Sequence, residues 1–383
     1  MKVRKFGKTM LLVLSIVALL SFCFAEEENV VTMMTLDEAI DYAMKNNANV
    51  VDLHRMEEEQ EKIYKKAEKA YNIWHEKQSY SFQAYDPLLY PKYDYLEYHG
   101  YYKDLAKLSY DKFLATQDTA ESTVKYSVMK LAYTIDELEN TVKCLEKTIQ
   151  KQENDVKVAE VKVRLNMATQ LDLDATKTTL KSTKAQLETL KSTLDTMKIS
   201  IKSLMGFDVL KELKIELPEN EFKMLEIEDI NSEIINSLDT NTNVIDAKLE
   251  YKQKEMNNVL ATTFLLDSEE AIKDAKKAFS DAELRLNNSI NATKENLLIL
   301  YRQIKTNENE VVLAREDYEQ LQQKYVQMQK MYELNMVTRN DYEAYQVALL
   351  NAENTYNSAI HKNILLNERW NIAMLVGDVV ASI

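Results

Sequence analysis

The side chains that most often carry out chemistry are few in this sequence, and they are scattered. It contains four histidines and two cysteines, namely His54, His75, His99, His361, Cys23 and Cys144. Their separations do not match the short ligand spacings of histidine and cysteine metal sites. We also find no nucleophile beside a base and no glycine-rich loop that could hold a phosphate. We therefore predict no catalytic, cofactor-binding or metal-binding residues, and we do not expect an enzyme.

Composition and charge point to long helices with an acidic surface. The 383 residues include 48 basic and 62 acidic side chains, which gives a net charge of −14. Nucleic-acid binding requires a basic patch, so we do not expect nucleic acid as a partner. Glycine occurs 4 times and proline 3 times, which is far below average usage, so tight turns are rare. These counts exclude sandwiches, hairpin-built barrels and Rossmann folds, and they favour an all-α protein.

The first 25 residues have the pattern of a signal peptide. A basic segment, Met1–Thr9, precedes an apolar stretch that ends at Phe22, and Cys23-Phe24-Ala25 fits a small-x-small cleavage site. An uncleaved anchor is an alternative, although the stretch is shorter than the ~20 residues of a spanning helix. A lipoprotein signal ending at Cys23 is another, although Phe22 is large for its position. We expect an exported protein of the cell envelope, in the outer membrane or periplasm if the source has an outer membrane and at the cell surface otherwise.

Apolar residues recur with alternating steps of three and four along much of the chain. This 3.5-residue period is typical of helices that pack side by side in a left-handed coiled coil. The four stretches are Val124–Val163, Leu173–Leu204, Ile290–Tyr332 and Tyr342–Ala373. We call the line of apolar residues along each stretch its seam. A few seam positions are polar, and they either line a water-filled lumen or fix the register of the coiled coil. These are Gln152, Asn307 and Asn363.

Two short segments separate these stretches, and they share the pattern Leu-Asn-Met-x-Thr. Asn166 and Asn335 tolerate the left-handed conformation that ends a helix. Thr169 and Thr338 can cap the next helix, each with an aspartate three residues later. Each segment is therefore predicted to reverse the chain between two antiparallel helices. The two tips consist of Leu165, Asn166, Met167, Ala168 and Thr169, and of Leu334, Asn335, Met336, Val337 and Thr338.

The order of these features repeats, which indicates an internal duplication. Each repeat is predicted as a shorter helix, a connector, a long helix, a tip and a return helix. The tips lie near 165–171 and 334–340, and the shorter helices are predicted at Leu36–His75 and Ile230–Leu260. We assign a signal peptide, a first repeat, an inter-repeat linker and a second repeat to residues 1–25, 26–206, 207–226 and 227–383.

The duplicated order resembles the outer-membrane efflux protein (TolC-like) family. The segment Thr35–Ile40, followed by Ala43 and Asn46-Asn47, is similar to the opening helix of that family. The two tips, the long antiparallel arms and the Leu-x-Gly endings at Leu204–Gly206 and Leu375–Gly377 match its duplicated hairpin. The resemblance covers about residues 31–380, and it depends on the order of the features rather than on one motif.

The resemblance implies a TolC-like α-helical barrel protomer with two long coiled-coil hairpins. In that family three protomers form a hollow tube, and the hairpin tips meet a periplasmic adaptor of an export pump. We therefore expect a homotrimer whose partner is an export-pump adaptor protein. The second connector, Asn257–Ser268, has room for at most one short strand at Leu260–Leu266. We thus expect little or no β-barrel, with the family's strands reduced or missing.

Three groups of residues are candidate functional sites. The tips are the expected adaptor-docking sites. Asp172 and Asp341 are either entrance acids, as the resemblance implies, or ordinary helix-start residues. A dense group of tyrosines either contacts a membrane, a wall polymer or a partner, or packs on its own helices. This group includes Tyr90, Tyr93, Tyr95, Tyr98, Tyr101 and Tyr102.

Two functions of different classes fit these observations. The first is the outer component of an envelope export or efflux system, in which an oligomeric α-helical conduit docks an adaptor through its tips. The alternative is a structural or adaptor coiled-coil protein of the cell envelope that forms no pore. A hollow ring would favour the conduit, whereas a solid bundle or a monomer would favour the alternative.

Overall fold

The structure is a computed structural model of the chain. It describes residues 31–78, 96–97, 99–219, 221–264 and 268–377. The predicted signal peptide lies outside the described residues, and so do four members of the tyrosine group. These four are Tyr90, Tyr93, Tyr95 and Tyr98.

The described chain is almost entirely helical, and it repeats one arrangement twice. The helices of the first half are α1 (Leu36–Asn46), α2 (Ala48–Gln78), α3 (Tyr101–Arg164) and α4 (Gln170–Met205). Those of the second half are α5 (Ile230–Ser237), α6 (Thr242–Phe264), α7 (Glu269–Glu333) and α8 (Arg339–Leu375). α3 has 64 residues and α7 has 65, so each extends for roughly 95 Å. The prediction of an all-α fold with two long antiparallel hairpins is confirmed.

Each long helix packs against its return helix. We call α3 with α4 the first hairpin and α7 with α8 the second hairpin. α3 also packs along α8, so the half of the molecule near the tips is a layer in the order α4, α3, α8, α7. In the other half, α2 packs on α3, and α6 lies between α3 and α7. The layer therefore ends in α7 on one side and in α4 and α2 on the other.

The shorter helices differ from the sequence prediction. The single helix expected at Leu36–His75 is broken between α1 and α2, and the one expected at Ile230–Leu260 is broken between α5 and α6. In the second connector, α6 continues to Phe264. The described part of Leu260–Leu266 is therefore helical, where sequence analysis allowed a short strand.

Two asparagines cause these breaks by capping the helix that follows. Asn47 Oδ1 accepts the backbone N–H groups of Asn49 and Val50. Asn241 Oδ1 accepts the corresponding two N–H groups at the start of α6. Asn47 Nδ2 also donates to the Leu204 carbonyl oxygen at 2.9 Å, which fastens the break to the end of α4. The bond from Asn47 to Leu204 depends on tertiary contact, so local sequence patterns could not reveal it.

A two-stranded parallel ribbon is an addition to the predicted all-α fold. β1 (Thr32–Thr35) pairs with β2 (Leu213–Glu216). Its only sequence signal is the alternation Leu213-Lys214-Ile215-Glu216, which places alternate side chains on one face. Leu213 and Ile215 pack against the core formed by α1, α3 and α4.

The first hairpin is closed by an apolar seam and by a row of ion pairs. Leu173, Leu187, Leu194 and Ile201 of α4 are buried. Beside this seam, four lysines of α4 meet four glutamates of α3 at intervals of seven residues. The pairs are Lys177–Glu160, Lys184–Glu153, Lys191–Glu146 and Lys198–Glu139, with N–O distances of 3.0, 2.7, 3.2 and 2.7 Å. We call these pairs the charge ladder, and its regular spacing matches one antiparallel register.

The second hairpin is closed differently. Tyr318 stacks on Tyr356 and Tyr325 on Tyr342, with ring centroids 5.9 and 5.6 Å apart. The hydroxyls of Tyr325 and Tyr342 share a hydrogen bond of 2.7 Å. This bond and burial raise the pKa of Tyr342 to about 12. Among the described residues, one ion pair joins α7 to α8, namely Lys362–Glu310.

Polar side chains meet where the two hairpins join, between α3 and α8. Cys144 Sγ donates to Asn351 Oδ1 at 2.9 Å. His361 is fully buried, and its Nδ1 lies 3.3 Å from Glu137 Oε1. Burial raises the pKa of the Cys144 thiol, which lowers its reactivity because the thiolate is the reactive form.

Candidate functional site

The first tip is a tight reversal built from backbone hydrogen bonds. Asn166 N–H donates to the Val163 carbonyl oxygen at 3.0 Å, and Met167 N–H donates to that of Lys162 at 2.7 Å. These two bonds form a Schellman motif, which requires a left-handed residue after the helix. Asn166 supplies it with a φ of 55°. The predicted role of this asparagine is therefore confirmed.

The second tip repeats this geometry. Asn335 N–H donates to the Tyr332 carbonyl oxygen at 2.9 Å, and Met336 N–H donates to that of Met331 at 2.8 Å. Asn335 has a φ of 58°. The shared pattern Leu-Asn-Met-x-Thr thus produces the same turn in both hairpins.

A capping box starts the return helix at each tip. Thr169 Oγ1 accepts the Asp172 N–H at 3.2 Å, and Asp172 Oδ2 accepts the Thr169 hydroxyl at 2.7 Å. Thr338 and Asp341 make the same two bonds at 3.2 and 2.7 Å. The hydrogen bonds from Thr169 lower the pKa of the Asp172 carboxyl. Both acids therefore serve as helix-start residues, and their role as entrance acids stays a prediction.

Large apolar side chains project from both tips into solvent. Met167 is 71% exposed and Met336 is 67% exposed, and Leu165 and Leu334 are exposed as well. The methionines occupy the Schellman position whose side chain commonly packs on the preceding helical turn, a role that sequence analysis did not consider. Two thirds or more of each methionine nevertheless stays in solvent. Packing within the turn therefore does not explain why these residues are large and apolar. Exposed apolar surface of this kind is typical of sites that a partner covers.

A polar contact holds the second tip against the first hairpin. Asn154 Nδ2 donates to both carboxylate oxygens of Glu343, at 3.1 and 2.9 Å. Arg339 forms an ion pair of 2.8 Å with the same carboxylate. Burial acts to raise the pKa of Glu343, but the hydrogen bonds from Asn154 and Arg339 outweigh it and the pKa is lowered. This contact was not predicted from the sequence, in which its only local signal is the i,i+4 spacing of Arg339 and Glu343.

The described part of the tyrosine group packs on the protein's own helices. Tyr101 and Tyr102 begin α3 and are half-buried, with ring centroids 5.5 Å apart. They pack against Leu96, Met256 and Leu260, and burial raises the pKa of the Tyr101 hydroxyl. For these two residues the structure favours internal packing over contact with a membrane or partner.

The polar seam residues are mostly internal. Asn307 and Asn363 are fully buried within the protomer, so they do not line a lumen. Asn307 Nδ2 donates to the Ala359 carbonyl oxygen at 3.4 Å, and Asn363 Oδ1 accepts from Asn367 at 3.3 Å. These contacts favour the register interpretation for both asparagines. Gln152 is half-buried, and its place at a lumen or in the register of the coiled coil stays a prediction.

In the described residues, no group of histidine, cysteine, aspartate and glutamate side chains is arranged to hold a metal ion. None of the described helices carries an apolar stretch long enough to cross a membrane. The tips are therefore the strongest candidate site.

Solved structures of outer-membrane proteins share this arrangement of helices. The outer membrane protein VceC from Vibrio cholerae matches with a TM-score of 0.60 and 11% identity, over 90% of this chain and 96% of that chain. The CmeC outer membrane channel of Campylobacter jejuni matches with a TM-score of 0.59 and 13% identity, over 92% and 86%. The open state of the Neisseria gonorrhoeae MtrE outer membrane channel gives 0.56 and 11%, over 90% and 90%. No protein-family model and no curated protein matches the sequence.

The likeness is one of fold, and it extends over most of both chains in each comparison. It includes the two long hairpins that were predicted from the heptads and from the repeated tips. The resemblance stated from the sequence is thereby confirmed at the level of fold. The chain has the TolC-like fold of these outer-membrane proteins.

Proposed function

We propose that the protein is the outer component of an envelope export or efflux system. In this proposal it forms an oligomeric α-helical conduit that docks an export-pump adaptor through its hairpin tips. The observation that carries the proposal is the pair of tips, which lie at one end of the layer with the same backbone geometry and the same exposed methionine. The solved structures with this fold are described as outer-membrane channels, which supports the proposal.

The tips are suited to bind another protein. Methionine is flexible and polarizable, and it serves surfaces that must adapt to a partner. Ala168 and Val337, which follow the two methionines, are half-buried, so the methionines and leucines are the side chains that reach furthest into solvent. A partner with an apolar groove would remove both pairs from water.

Self-association is the second part of the proposal. A single layer of helices encloses no channel, so a conduit requires further copies of the chain. Both edges of the layer carry exposed apolar side chains, for example Leu313 of α7 and Ile199 of α4, which are 62% and 53% exposed. We propose a homotrimer of an exported protein, located in the cell envelope.

The docking proposal is tested by replacing both tip methionines, with Met167→Ser and Met336→Ser in one chain. Helicity and oligomeric state should stay unchanged, because neither side chain is buried in a seam. Co-purification with the adaptor, or export in a complementation assay, should fall. The matched control is Met33→Ser with Met224→Ser, since these methionines are each 56% exposed but lie away from the tips. Normal export by the tip variant would contradict docking through the methionines.

The entrance-acid prediction can be separated from helix capping. Asparagine has an amide oxygen that can accept the hydrogen bonds from Thr169 and Thr338, so Asp172→Asn with Asp341→Asn keeps the capping box and removes two charges. If these acids line an entrance, the cation selectivity of the reconstituted conduit should fall while its stability is kept. Unchanged selectivity would leave them as helix-start residues alone.

A further inference from the structure

We infer that the open edge of β2 is a binding site for a basic, extended segment of another protein. The segment adds to the ribbon as a third strand and lies in a cavity between the ribbon, α3 and α4. This site is separate from the tips, and it depends neither on the conduit nor on adaptor docking.

One edge of β2 is not covered by any other strand of the described chain. Thr32 N–H donates to the Glu212 carbonyl oxygen at 3.0 Å, and Thr32 lies opposite Leu213 in the register. In a parallel pair, alternate residues of each strand direct their backbone groups toward the partner strand. The N–H and carbonyl groups of Leu213 and Ile215 therefore face away from β1. Because the described sheet has two strands, these groups form an open edge at which a further strand can pair.

The open edge borders a cavity of about 590 Å³. Residues Glu212–Glu219 line it on the ribbon side, and Ile135 of α3 and Ile201 of α4 line it on the helix side. None of the β1 residues Thr32–Thr35 lines it, so the cavity lies on the side of β2 that faces away from β1. Its volume is within the range of ligand sites in proteins.

The side chains around the cavity suit a strand in which apolar and charged residues alternate. Ala132 and Ile201 are 4% and 3% exposed, and with Ile135 they form an apolar floor. Glu212 and Glu216 are exposed, because the side chains between them alternate toward the core. An added strand would direct every second side chain to the floor and the others toward these carboxylates.

The second half of the molecule holds a peptide backbone at the corresponding place. Asn367 Nδ2 donates to the Lys223 carbonyl oxygen at 3.2 Å. Two residues farther along the chain, Glu308 accepts the N–H of Leu225 at 2.8 Å, and Lys305 donates to the carbonyl oxygen of Leu225. Three side chains of α7 and α8 thus bind alternate residues of a non-helical segment.

The corresponding positions of the first half line the cavity. The tip asparagines Asn166 and Asn335 are 169 residues apart. Counted by this offset, the three backbone-binding side chains correspond to Asp136, Glu139 and Lys198. Within the described chain these three bind other helix side chains, with Glu139 paired to Lys198 at 2.7 Å. The duplicated halves therefore differ here, since the second binds its own linker and the first presents a cavity.

The charge of the cavity favours a basic segment. The residues that line it include five acids and two lysines. Three of the acids have no ion-pair partner among the described residues, namely Glu212, Glu216 and Glu219. Lysine or arginine side chains of a bound segment would neutralise them, and complementary charge also fixes the register of a partner.

The same charge disfavours the chain's own N-terminal residues as the occupant. Val31 lines the cavity, so the residues before it in the sequence are the nearest alternative. Three of them are glutamates, whose carboxylates would be repelled by those of the cavity. The residues are Glu26, Glu27, Glu28, Asn29 and Val30. The occupant is therefore assigned to a different protein.

The probe for this site is a fluorescein-labelled heptapeptide that alternates lysine and valine and has blocked termini. Fluorescence anisotropy with the purified, exported chain should show saturable binding of one peptide per chain. An isomer with all lysines in one block and all valines in another should bind at least about tenfold more weakly, because its side chains do not alternate between floor and carboxylates. Equal binding of the two isomers would contradict an extended ligand.

Strand addition is tested by methylating backbone nitrogens of the peptide, which leaves the protein unchanged. One version carries N-methyl groups on the lysines and the other carries them on the valines. Only one of these alternating sets faces β2, so one version should lose at least about tenfold in affinity and the other should keep it. Equal loss, or no loss in either version, would show that the peptide does not pair with the strand edge.

Charge reversal locates the site on the protein. Glu212→Lys with Glu216→Lys should lower the affinity for the alternating peptide by about tenfold, since two attractions become repulsions. Both residues are exposed, so the circular dichroism spectrum should stay the same. The matched control is Glu188→Lys with Glu283→Lys, which makes the same charge change at exposed positions away from the cavity. Equal weakening by the control would reduce the binding to net charge and overturn the site.

Deletion of residues 26–30 tests the alternative occupant. The affinity for the peptide should stay the same within error. A rise of about tenfold or more would mean that the chain's own N-terminal residues compete for the cavity, which would overturn the assignment to another protein. Absence of saturable binding to the unaltered chain would overturn the site itself, and it would leave the conduit proposal unaffected.

Discussion

The first and second hairpins reverse the chain in the same way but are closed by different side chains. At the tips, Asn166 and Asn335 have φ values of 55° and 58°, and both return helices begin with a capping box. Along the seams, the first hairpin carries the charge ladder, whereas the second carries stacked tyrosines and buried asparagines. The duplicated halves have therefore kept the turns and changed the seams.

The difference shows which constraints come from local chemistry and which come from packing. A tight reversal needs a left-handed residue and a cap at fixed positions, which restricts the asparagine and the threonine of Leu-Asn-Met-x-Thr. A coiled-coil seam needs apolar residues at the right period, and several kinds of flanking contact can then fix its register. Neither requirement explains the exposed methionines. We therefore place the proposed docking site on them.

The largest expected effect concerns the buried apolar residues that both seams share. Leu187→Asp in the first hairpin and Leu300→Asp in the second each place a charge at a buried seam position, where the leucines are 8% and 2% exposed. An unpaired buried carboxylate should lower the free energy of unfolding by about 3 kcal/mol or more. Urea denaturation followed by circular dichroism measures this loss. Thr189→Asp, on an exposed position of α4, is the control and should change little.

The second prediction concerns the buried asparagine of the second hairpin. Asn307 is fully buried, and its Oδ1 has no hydrogen-bond partner among the described residues. Asn307→Leu should therefore raise the free energy of unfolding by about 1 kcal/mol, since an apolar residue suits this site better. Asn309→Leu at an exposed position is the comparison variant. A loss of stability in Asn307→Leu would mean that its hydrogen bonds to Glu310 and Ala359 outweigh the cost of burial.

The third prediction tests whether the two turns are equivalent. Asn166→Ala and Asn335→Ala should each destabilise by about 1 kcal/mol, because alanine adopts the left-handed conformation at a steric cost. The two losses should be equal within error, in contrast to substitutions in the seams. Asn166→Gly should be close to neutral, because glycine lacks the Cβ. Unequal losses would show that tertiary contacts, rather than the turn itself, select asparagine at one tip.

The smallest expected effect concerns the charge ladder, because exposed ion pairs contribute little individually. The hydrogen bond and charge of Lys184 lower the pKa of the Glu153 carboxyl. A lowered pKa stabilises the folded state above the ordinary carboxyl range, and this contribution disappears as the pH falls through the lowered pKa. Acid or molar salt should therefore speed hydrogen exchange in α4 more than in α8. Equal changes in the exchange rates of the two return helices would show that the charge ladder does not stabilise the first hairpin.

Much of the fold could be predicted because its determinants are local or periodic. The 3.5-residue period predicted the four arms, and the asparagine and threonine of each tip predicted the turns. The breaks at Asn47 and Asn241 were not predicted, because each asparagine reads as a polar residue within a helical pattern until its partners are known. The charge ladder was visible as lysines and glutamates at seven-residue intervals, but pairing them required the register of the hairpin.

The position of the candidate site could be predicted, but the exposure and the contacts of its side chains could not. The tips were located by their repeated residues, whereas the exposure of Met167 and Met336 depends on how the turn directs each side chain. The buried state of Asn307 and Asn363 shows the same limit, since a polar seam residue can face a lumen or another helix. The contact of Asn154 with Glu343 joins residues 189 positions apart, and no local pattern pairs them.

Electron microscopy of single particles of the purified, exported protein tests the central claim most directly. If the chain closes with copies of itself into a conduit, end views will show a ring of three copies around an open centre. Side views will be at least ~95 Å long, the length of α7. A solid bundle, or particles that contain a single copy, would contradict the conduit and favour a coiled-coil protein without a pore.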